Sequence, residues 1–319
     1  MKSILITGGR GLVGSAIREL YDINKYKNLV DQKYYMVFIN SSHADLTNYM
    51  ETLKIFMVYK PNIVIHLAAN VGGLFKNMRK KVNMLEDNLI INMNVIKCCK
   101  ELNVEKCISC LSTCIFPDKV EYPITEDQLH NGPPHPSNDA YAYAKRFIDI
   151  QNKAYNEQYG TKYFSIIPCN IYGRNDNFSV RDGHVIPSLI HKCYLAKKEG
   201  KPFTILGTGK PLRQFIYNMD LARYIMKIVD EYDGLENIII SSNETDEISI
   251  RDVGLEIAKN FDYLDNVKFD TNFSDGQYKK TVSNERLGKL FGPLEFTDIK
   301  SGIKETVEWF IQNYEKARK

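Results

Sequence analysis

Ser3-Ile4-Leu5-Ile6-Thr7-Gly8-Gly9-Arg10-Gly11-Leu12-Val13-Gly14 is the stretch that decides the fold. A short aliphatic run bounded by glycine reads as a buried strand. Gly8, Gly11 and Gly14 follow at intervals of three. Each removes a Cβ where a chain turns tightly, approaches a pyrophosphate or packs helix on strand. Residues 12–26 then continue as a helix, with Val13, Ala16, Ile17 and Leu20 on one face. The start of such a helix offers unpaired N–H groups and partial positive charge to an anion. Strand, glycine loop and helix in that order are the context a dinucleotide cradle requires. The bland alternative is a plain tight turn.

Strand and helix patterns alternate through the first 170 residues. Strands are expected at 3–7, 35–39, 62–67, 105–111 and 162–167, and helices at 12–26, 49–59, 82–102 and 140–159. Asp45-Leu46-Thr47-Asn48 offers capping chemistry for the second helix, which Pro61 ends. This alternation predicts an α/β fold, a Rossmann-type doubly wound parallel sheet with helices on both faces. Ligands of such sheets bind at the carboxyl ends of the strands. After about residue 170 short apolar segments at 203–206, 215–217, 237–241 and 268–269 alternate with polar loops, and helices are expected near 250–261 and 299–314. The expected organisation is a cofactor-binding domain over 1–170 and a smaller, mainly substrate-binding α/β part over 171–319, with chain crossing between the two.

The residue ending the second strand selects between NAD and NADP, because a carboxylate there repels a 2′-phosphate. Here the sequence is Ile39-Asn40-Ser41-Ser42, with no acid. Arg10 projects from the glycine loop, where a guanidinium can pair with phosphate. Arg10 with Ser41 or Ser42 favours NADP(H); otherwise Arg10 is a solvated loop residue. Asp45 could contact adenine or merely cap the next helix.

Tyr141 and Lys145 lie four apart in Ala140-Tyr141-Ala142-Tyr143-Ala144-Lys145. One helical turn puts phenol and ammonium on the same face. A ketone that accepts hydride becomes an alkoxide and needs a proton. A tyrosine can give it, and a neighbouring ammonium should draw its pKa toward neutrality. Lys145 can also hold the nicotinamide ribose. Ser112, at the end of the fourth strand, can orient the carbonyl. Tyr143 is displaced by about 200° around the helix and is the weaker candidate.

Composition excludes several classes. The chain has 319 residues, 44% hydrophobic and 25% charged, as a globular protein does. A net charge of +3 is too near balance for nucleic-acid binding, so an acidic ligand must be met by a few local cations. No apolar run approaches the ~18 residues that span a membrane, and the N-terminus reads straight into a strand rather than a signal peptide. Seven cysteines form no disulfide framework, and a cytoplasmic location is expected. Cys107 and Cys110 are three apart in a strand and face opposite ways, so no metal site is expected there or elsewhere.

These residues identify a resemblance to the extended short-chain dehydrogenase/reductase family, and within it to the GDP-L-fucose synthases. The likeness covers nearly the entire chain. Its more specific segments are Ser112-Thr113-Cys114-Ile115-Phe116-Pro117, His130-Asn131-Gly132-Pro133-Pro134-His135, Asp182-Gly183-His184-Val185-Ile186-Pro187, Arg213-Gln214-Phe215-Ile216-Tyr217 and Ser274-Asp275-Gly276-Gln277-Tyr278-Lys279-Lys280. The resemblance implies NADPH-dependent epimerisation at C3 and C5 and reduction at C4 of GDP-4-keto-6-deoxy-D-mannose. A C4 ketone acidifies the protons on both neighbouring carbons, and inverting them calls for a base and an acid on opposite faces. Cys and His are the usual types. The family assigns that pair to Cys114 and His184; from sequence alone Cys114 reads more readily as a buried structural thiol.

By the same resemblance Gly8, Gly9, Arg10, Gly11, Leu12, Val13, Gly14, Ser41, Asp45, Leu67, Ala68 and Ala69 bind the cofactor. Pro168, Cys169, Asn170 and Ile171 line the nicotinamide. Lys192 and Arg213 meet the GDP diphosphate, and His184, Leu206 and Asp275 meet the substrate. Leu206 stands where many members have Trp, and Cys169 where Thr is common. A homodimer through the helices near 82–102 and 140–159 is also implied. The competing readings are a nucleotide-sugar 4-epimerase or 4,6-dehydratase, against which the missing acid after Asn40 speaks, and a non-catalytic NADP-binding redox sensor.

Overall fold

β1 (Lys2–Thr7) is an interior strand of the large sheet, and Ile4, Leu5 and Ile6 are fully buried. Burying such side chains contributes about 1.5–3 kcal/mol each. The computed structural model describes residues 1–26, 33–273, 275 and 277–319. Ser274 and Gly276, from the last of the resembling segments, lie outside them.

After β1 the chain forms α1 (Leu12–Tyr26), β2 (Tyr34–Phe38), α2 (Tyr49–Tyr59), β3 (Ile63–His66), the short α3 (Leu74–Arg79) and the long α4 (Lys81–Glu101). β4 (Lys106–Cys110), α5 (Asp139–Tyr159), β5 (Tyr163–Pro168) and β6 (Asn170–Tyr172) follow. Then come α6 (Val185–Glu199), β7 (Phe203–Leu206), β8 (Leu212–Arg213), β9 (Phe215–Tyr217), α7 (Asn218–Glu231) and β10 (Ile238–Ile240). The chain ends with β11 (Ile248–Ser249), α8 (Ile250–Asn260), β12 (Val267–Asp270), α9 (Glu285–Phe291) and α10 (Ile299–Gln312).

Six strands form one sheet in the order β2-β1-β3-β4-β5-β10, and every pairing is parallel. The expected doubly wound sheet is therefore present. The strand order reverses at β1, whose two edges carry β2 and β3. A crevice opens at such a switch point beyond the carboxyl ends. The glycine loop sits there.

The loop's glycines are required by contact as well as by conformation. Gly8 has φ +70°, and a Cβ on it would lie 3.0 Å from the Ala68 nitrogen. A Cβ on Gly14 would lie 2.5 Å from the Gly8 carbonyl oxygen and 2.7 Å from the Gly9 Cα. α2 is capped by Asn48, which accepts from the Met50 and Glu51 amides. Asp45 instead accepts from the Thr47 amide and hydroxyl, at 2.9 and 2.7 Å.

α1 packs on α7, and α4 packs on α5 and α2. α7 was not expected from the sequence, nor were α3, α6 and α9. Its buried Leu221, Ala222, Ile225, Ile228 and Val229 join the core of the large sheet, as do Ile238–Ile240 of β10. A second core is built from α6, α8, α10 and three two-stranded sheets. It is rich in aromatics: Phe178 stacks on Phe310 at 4.4 Å, and Tyr194 on Tyr314 at 4.4 Å.

Candidate active site

α5 carries Tyr141 and Lys145 on its buried face, while Tyr143, Phe147 and Ile150 are exposed on the other. The stagger follows from the helical repeat. Lys145 is 2% exposed, and its Nζ donates to the Cys110 carbonyl at 2.9 Å, at the end of β4. Burial lowers its pKa, with Cys110 and Cys114 acting in the opposite sense. Tyr141 is buried as well. Burial pushes its pKa well up, and Cys114 and Cys110 add to the rise. The expected depression by Lys145 is therefore not found: the ammonium is engaged by a backbone carbonyl, and desolvation governs the phenol. Tyr141 is held protonated, as a proton donor must be.

Ser112 and Cys114 follow β4. Ser112 caps the short helix Thr113–Ile115 by accepting from the Cys114 amide. Cys114 is 8% exposed. The short helix that holds it packs against α5, the helix of Tyr141, Lys145 and Arg146. Arg146 fixes this loop: Nε donates to the Ile115 carbonyl at 2.9 Å, Nη2 to the same oxygen, and Nη1 to the Gly132 carbonyl at 2.8 Å.

A polar chain ties β1, the strand before the glycine loop, to α5. The Thr7 hydroxyl accepts from the Leu67 and Ala68 amides, at 3.1 and 3.0 Å. Its own proton then goes to His66 Nδ1, 2.9 Å away. His66 Nε2 carries the ring proton and donates to Asn92 Oδ1 at 3.1 Å. Asn92 Nδ2 donates to the Ala144 carbonyl in α5, at 3.3 Å. Burial drives the pKa of His66 down to about 3, with Lys145 adding to the fall, so the ring is neutral. His66, Asn92 and Arg146 were not foreseen as site residues. Buried polar side chains within apolar elements carry no local sequence signal; their partners lie far away in the chain.

His184 is the N-cap residue of α6. That turn is pinned to the loop after β3. Gly73 donates to the Asp182 carbonyl at 2.9 Å, and Arg79 pairs with Asp182 at 2.6 Å. A Cβ on Gly73 would lie 2.3 Å from the Gly183 carbonyl oxygen. His184 retains exposed surface, yet neighbouring atoms desolvate it; its pKa is lowered by that burial and by Lys76 and Arg318. No hydrogen bond joins it to Cys114 or Tyr141. Ser188 and Lys192 share its helix face at intervals of four. Lys192 is half-buried, with its pKa lowered by burial, and makes no ion pair among the described residues.

Arg213 points its guanidinium at backbone carbonyls of Leu212, Gln277 and Tyr278, at 2.7, 2.6 and 3.3 Å. Asp275 accepts from the Thr208 amide and hydroxyl, both at 2.7 Å, and Leu206 ends β7 just before. On the cofactor side, Cys169 donates to the Ile240 carbonyl at 3.1 Å, and Asn170 to the Gln214 carbonyl at 2.8 Å. Pro168 and Cys169 are buried, with Asn170 and Ile171 partly so. At the far end Arg10, Ser41 and Ser42 are exposed, the Gly9 amide donates to the Ile39 carbonyl at 2.7 Å, and Ser42 donates to Asn40. No carboxylate ends β2. These residues fit a dinucleotide with a 2′-phosphate. Among the described residues no group of three metal-ligating side chains occurs.

A parallel six-stranded sheet, a glycine cradle at its switch point and a Tyr-Lys pair on a helix beside it define a nucleotide-dependent oxidoreductase or epimerase. The chain belongs to the NAD dependent epimerase/dehydratase family, whose model matches residues 4–241. Its relatives include GDP-L-fucose synthases. It is 54% identical to the GDP-L-fucose synthase of Dictyostelium discoideum, over 100% of this chain and 98% of the relative. It is 46% identical to a probable GDP-L-fucose synthase of Drosophila melanogaster, over the whole of both. Among solved structures, a GDP-L-fucose synthetase from Naegleria fowleri bound to NADP superposes with a TM-score of 0.92. It is 47% identical, and the match covers 100% of this chain and 95% of that one.

Proposed function

We propose that this chain converts GDP-4-keto-6-deoxy-D-mannose to GDP-L-fucose with NADPH, inverting C3 and C5 and reducing C4. The observation that carries this is Cys114 in the short helix after β4, which packs against α5, the helix that bears Tyr141 and Lys145 on its buried face and whose Arg146 holds the Ile115 carbonyl. Hydride transfer needs the phenol and the ammonium. A thiol beside them adds what only carbon-proton exchange requires. The close likeness to GDP-L-fucose synthases supports the same substrate.

NADPH, when bound in the glycine cradle, supplies the hydride for C4. Tyr141 gives its proton to the C4 oxygen, and Ser112 orients that carbonyl. Lys145, held by Cys110, is placed to neutralise the phenolate that results and to bind the nicotinamide ribose. Cys114 removes the proton next to the ketone, and His184 exchanges protons from the opposite wall. An imidazole with a depressed pKa is the stronger acid once charged, which suits it to return a proton to carbon. Lys192 and Arg213 supply local positive charge for the diphosphate, and Asp275 and Leu206 border the sugar nucleotide. Arg10, Ser41 and Asp45 bind the adenosine end, and Pro168 to Ile171 line the nicotinamide. The large-sheet core serves the cofactor, and the residues after 171 mainly serve the substrate.

Two copies of the chain pair through α4 and α5 in this reading. Both helices leave a row of apolar residues exposed: Val82, Ile90 and Met93 on one, Tyr143, Phe147 and Ile150 on the other. Spacings of three, four and eight put each row on one face. No helix of the described residues is long and apolar enough to cross a membrane, and all seven cysteines are free thiols. Both fit a cytoplasmic enzyme. The test is NADPH oxidation followed at 340 nm with the 4-keto sugar nucleotide. One NADPH consumed per sugar is expected. A 4-epimerase or dehydratase regenerates its cofactor and would show no net oxidation, and a redox sensor would show none with any sugar.

A further inference from the structure

The loop after β3, with α3 inside it, is a braced body. The Asn70 amide donates to Asn88 Oδ1 and Asn70 Nδ2 to Asp87, each at 2.9 Å, and both partners lie on α4. Asn88 Nδ2 returns a bond to the Asn70 carbonyl at 3.0 Å. Lys76 Nζ donates to Asn70 Oδ1 and to the Val71 carbonyl, each at 2.8 Å, and Asn77 Nδ2 to the Gly72 carbonyl at 3.2 Å.

The turn over residues 179–184 rests against this body. It is closed on itself: the Gly183 amide donates to the Ser179 carbonyl at 2.9 Å, and the Asp182 amide to the Ser179 hydroxyl at 3.3 Å. The Gly73 amide and the Arg79 guanidinium both hold Asp182. His184 comes next, and its carbonyl accepts from the Ser188 amide at 3.0 Å. The seat of the turn therefore sets where α6 starts and where His184 stands.

Backbone conformation does not call for a glycine at position 73. Its φ of −67° and ψ of 178° are open to any residue. What the glycine supplies is approach. A Cβ there would lie 2.3 Å from the Gly183 carbonyl oxygen, where ordinary contact begins at 3.4 Å, so an alanine needs about 1 Å of movement. The turn has no slack to absorb it, because a Cβ on Gly183 would itself lie 2.5 Å from the Asn177 carbonyl oxygen and 2.7 Å from that of Ser179. With the loop tied to α4, the displacement falls on the turn and on His184.

We propose that Gly73 is a positioning residue for epimerisation: its bare Cα lets the turn before α6 seat against the loop after β3, which places His184 to return a proton to the carbon next to the ketone. This rests on the epimerase-reductase reading above. In the step, the imidazolium N–H bond breaks and its pair stays on nitrogen. The enolate pair forms the new C–H bond, and the C4 carbonyl is restored. No oxidant or reductant is consumed.

The first arm of the test needs no sugar. A crystal structure of NADPH-loaded Gly73→Ala should show the His184 backbone displaced by about 1 Å from its wild-type place. An unmoved His184, with the loop yielding instead, overturns the proposal. In the second arm the 4-keto sugar nucleotide is reacted with NADPH and the products are read by NMR. A misplacement of that size slows a positioned group by on the order of a hundredfold. Hydride delivery should then overtake inversion, and the share of 6-deoxysugar uninverted at C3 or C5 should rise, as in His184→Gln. A variant that was only less stable would lose all products in proportion and keep the wild-type ratio. That ratio, found in Gly73→Ala while His184→Gln alters it, overturns the proposal. A wild-type ratio in His184→Gln overturns it too, since no acid is then being placed. Arg79→Met loosens the seat without adding bulk and should move the ratio the same way by about twofold to fivefold, with Arg79→Lys restoring it. Should Gly73→Ala not fold, a wild-type ratio in Arg79→Met is the overturning result. If wild type never turns over the sugar, the reading of the substrate falls, while a displaced turn still assigns Gly73 the seating of His184.

Discussion

Replacing His66 with Gln tests the buried chain that joins the cofactor strand to the catalytic helix. His66 is fully buried and neutral, and its pKa falls from 6.5 to about 3 on folding. The unfolded chain therefore binds a proton more readily than the folded one. The resulting stability is fully present above pH 6.5 and is lost as pH falls toward 3. At 1.36 kcal/mol per unit the whole effect is of order 4–5 kcal/mol, and about 2 kcal/mol of it is gone by pH 5. Other buried groups titrate in the same window. His184 and His191 act in the same sense, and Asp176, raised to about 7, acts in the opposite one. All three remain in the variant, so the comparison cancels them. Urea unfolding at pH 7.5 and pH 5 should show wild type losing about 2 kcal/mol more than His66→Gln. The absolute stability of the variant at pH 7.5 does not enter that difference. Equal losses in the two proteins, within about 0.5 kcal/mol, would refute the buried neutral ring and with it the directional chain from Thr7 to Ala144.

Three further outcomes follow from the site. Tyr141→Phe should abolish C4 reduction while NADPH still binds, since the ribose contact is proposed for Lys145; turnover within tenfold of wild type would remove Tyr141 as the acid. Arg10→Ala should weaken NADPH binding by on the order of 1.5–3 kcal/mol, the worth of a charged hydrogen bond, and leave NADH binding nearly unchanged. Equal weakening of both in titration calorimetry would deny Arg10 the 2′-phosphate. Cys114→Ser keeps size but loses the readily ionised thiol, so the variant should reduce some sugar at C4 without full inversion, giving a non-fucose 6-deoxysugar by NMR.

The large sheet was legible because its signals are local. Ile4–Ile6, the glycine spacing and the Val13, Ala16, Ile17, Leu20 face each sit within one turn or strand of the next. The alternation through residue 167 then left few topologies open. β10 was visible as an apolar segment, but its return to the edge of β5 is a pairing over some seventy residues that no local pattern encodes. α7 could have been found: Leu221, Ala222, Ile225, Ile228 and Val229 form an amphipathic stripe beginning directly after β9. α6 was obscured because Pro187 falls in its first turn, where proline is tolerated.

At the site, Tyr141 and Lys145 were legible because one turn of one helix holds both. The charge of Lys145 by itself implies a lowered phenol pKa, but the desolvation that dominates Tyr141 comes from packing that no sequence pattern displays.

The central claim is that one site both exchanges carbon-bound protons and delivers a hydride. The direct measurement is a reaction of wild-type protein with GDP-4-keto-6-deoxymannose and NADPH in deuterium oxide, with the product read by NMR. The account predicts GDP-L-fucose carrying deuterium at C3 and C5 and NADPH-derived hydrogen at C4. A reduced sugar with protium at C3 and C5 and both centres uninverted would contradict it.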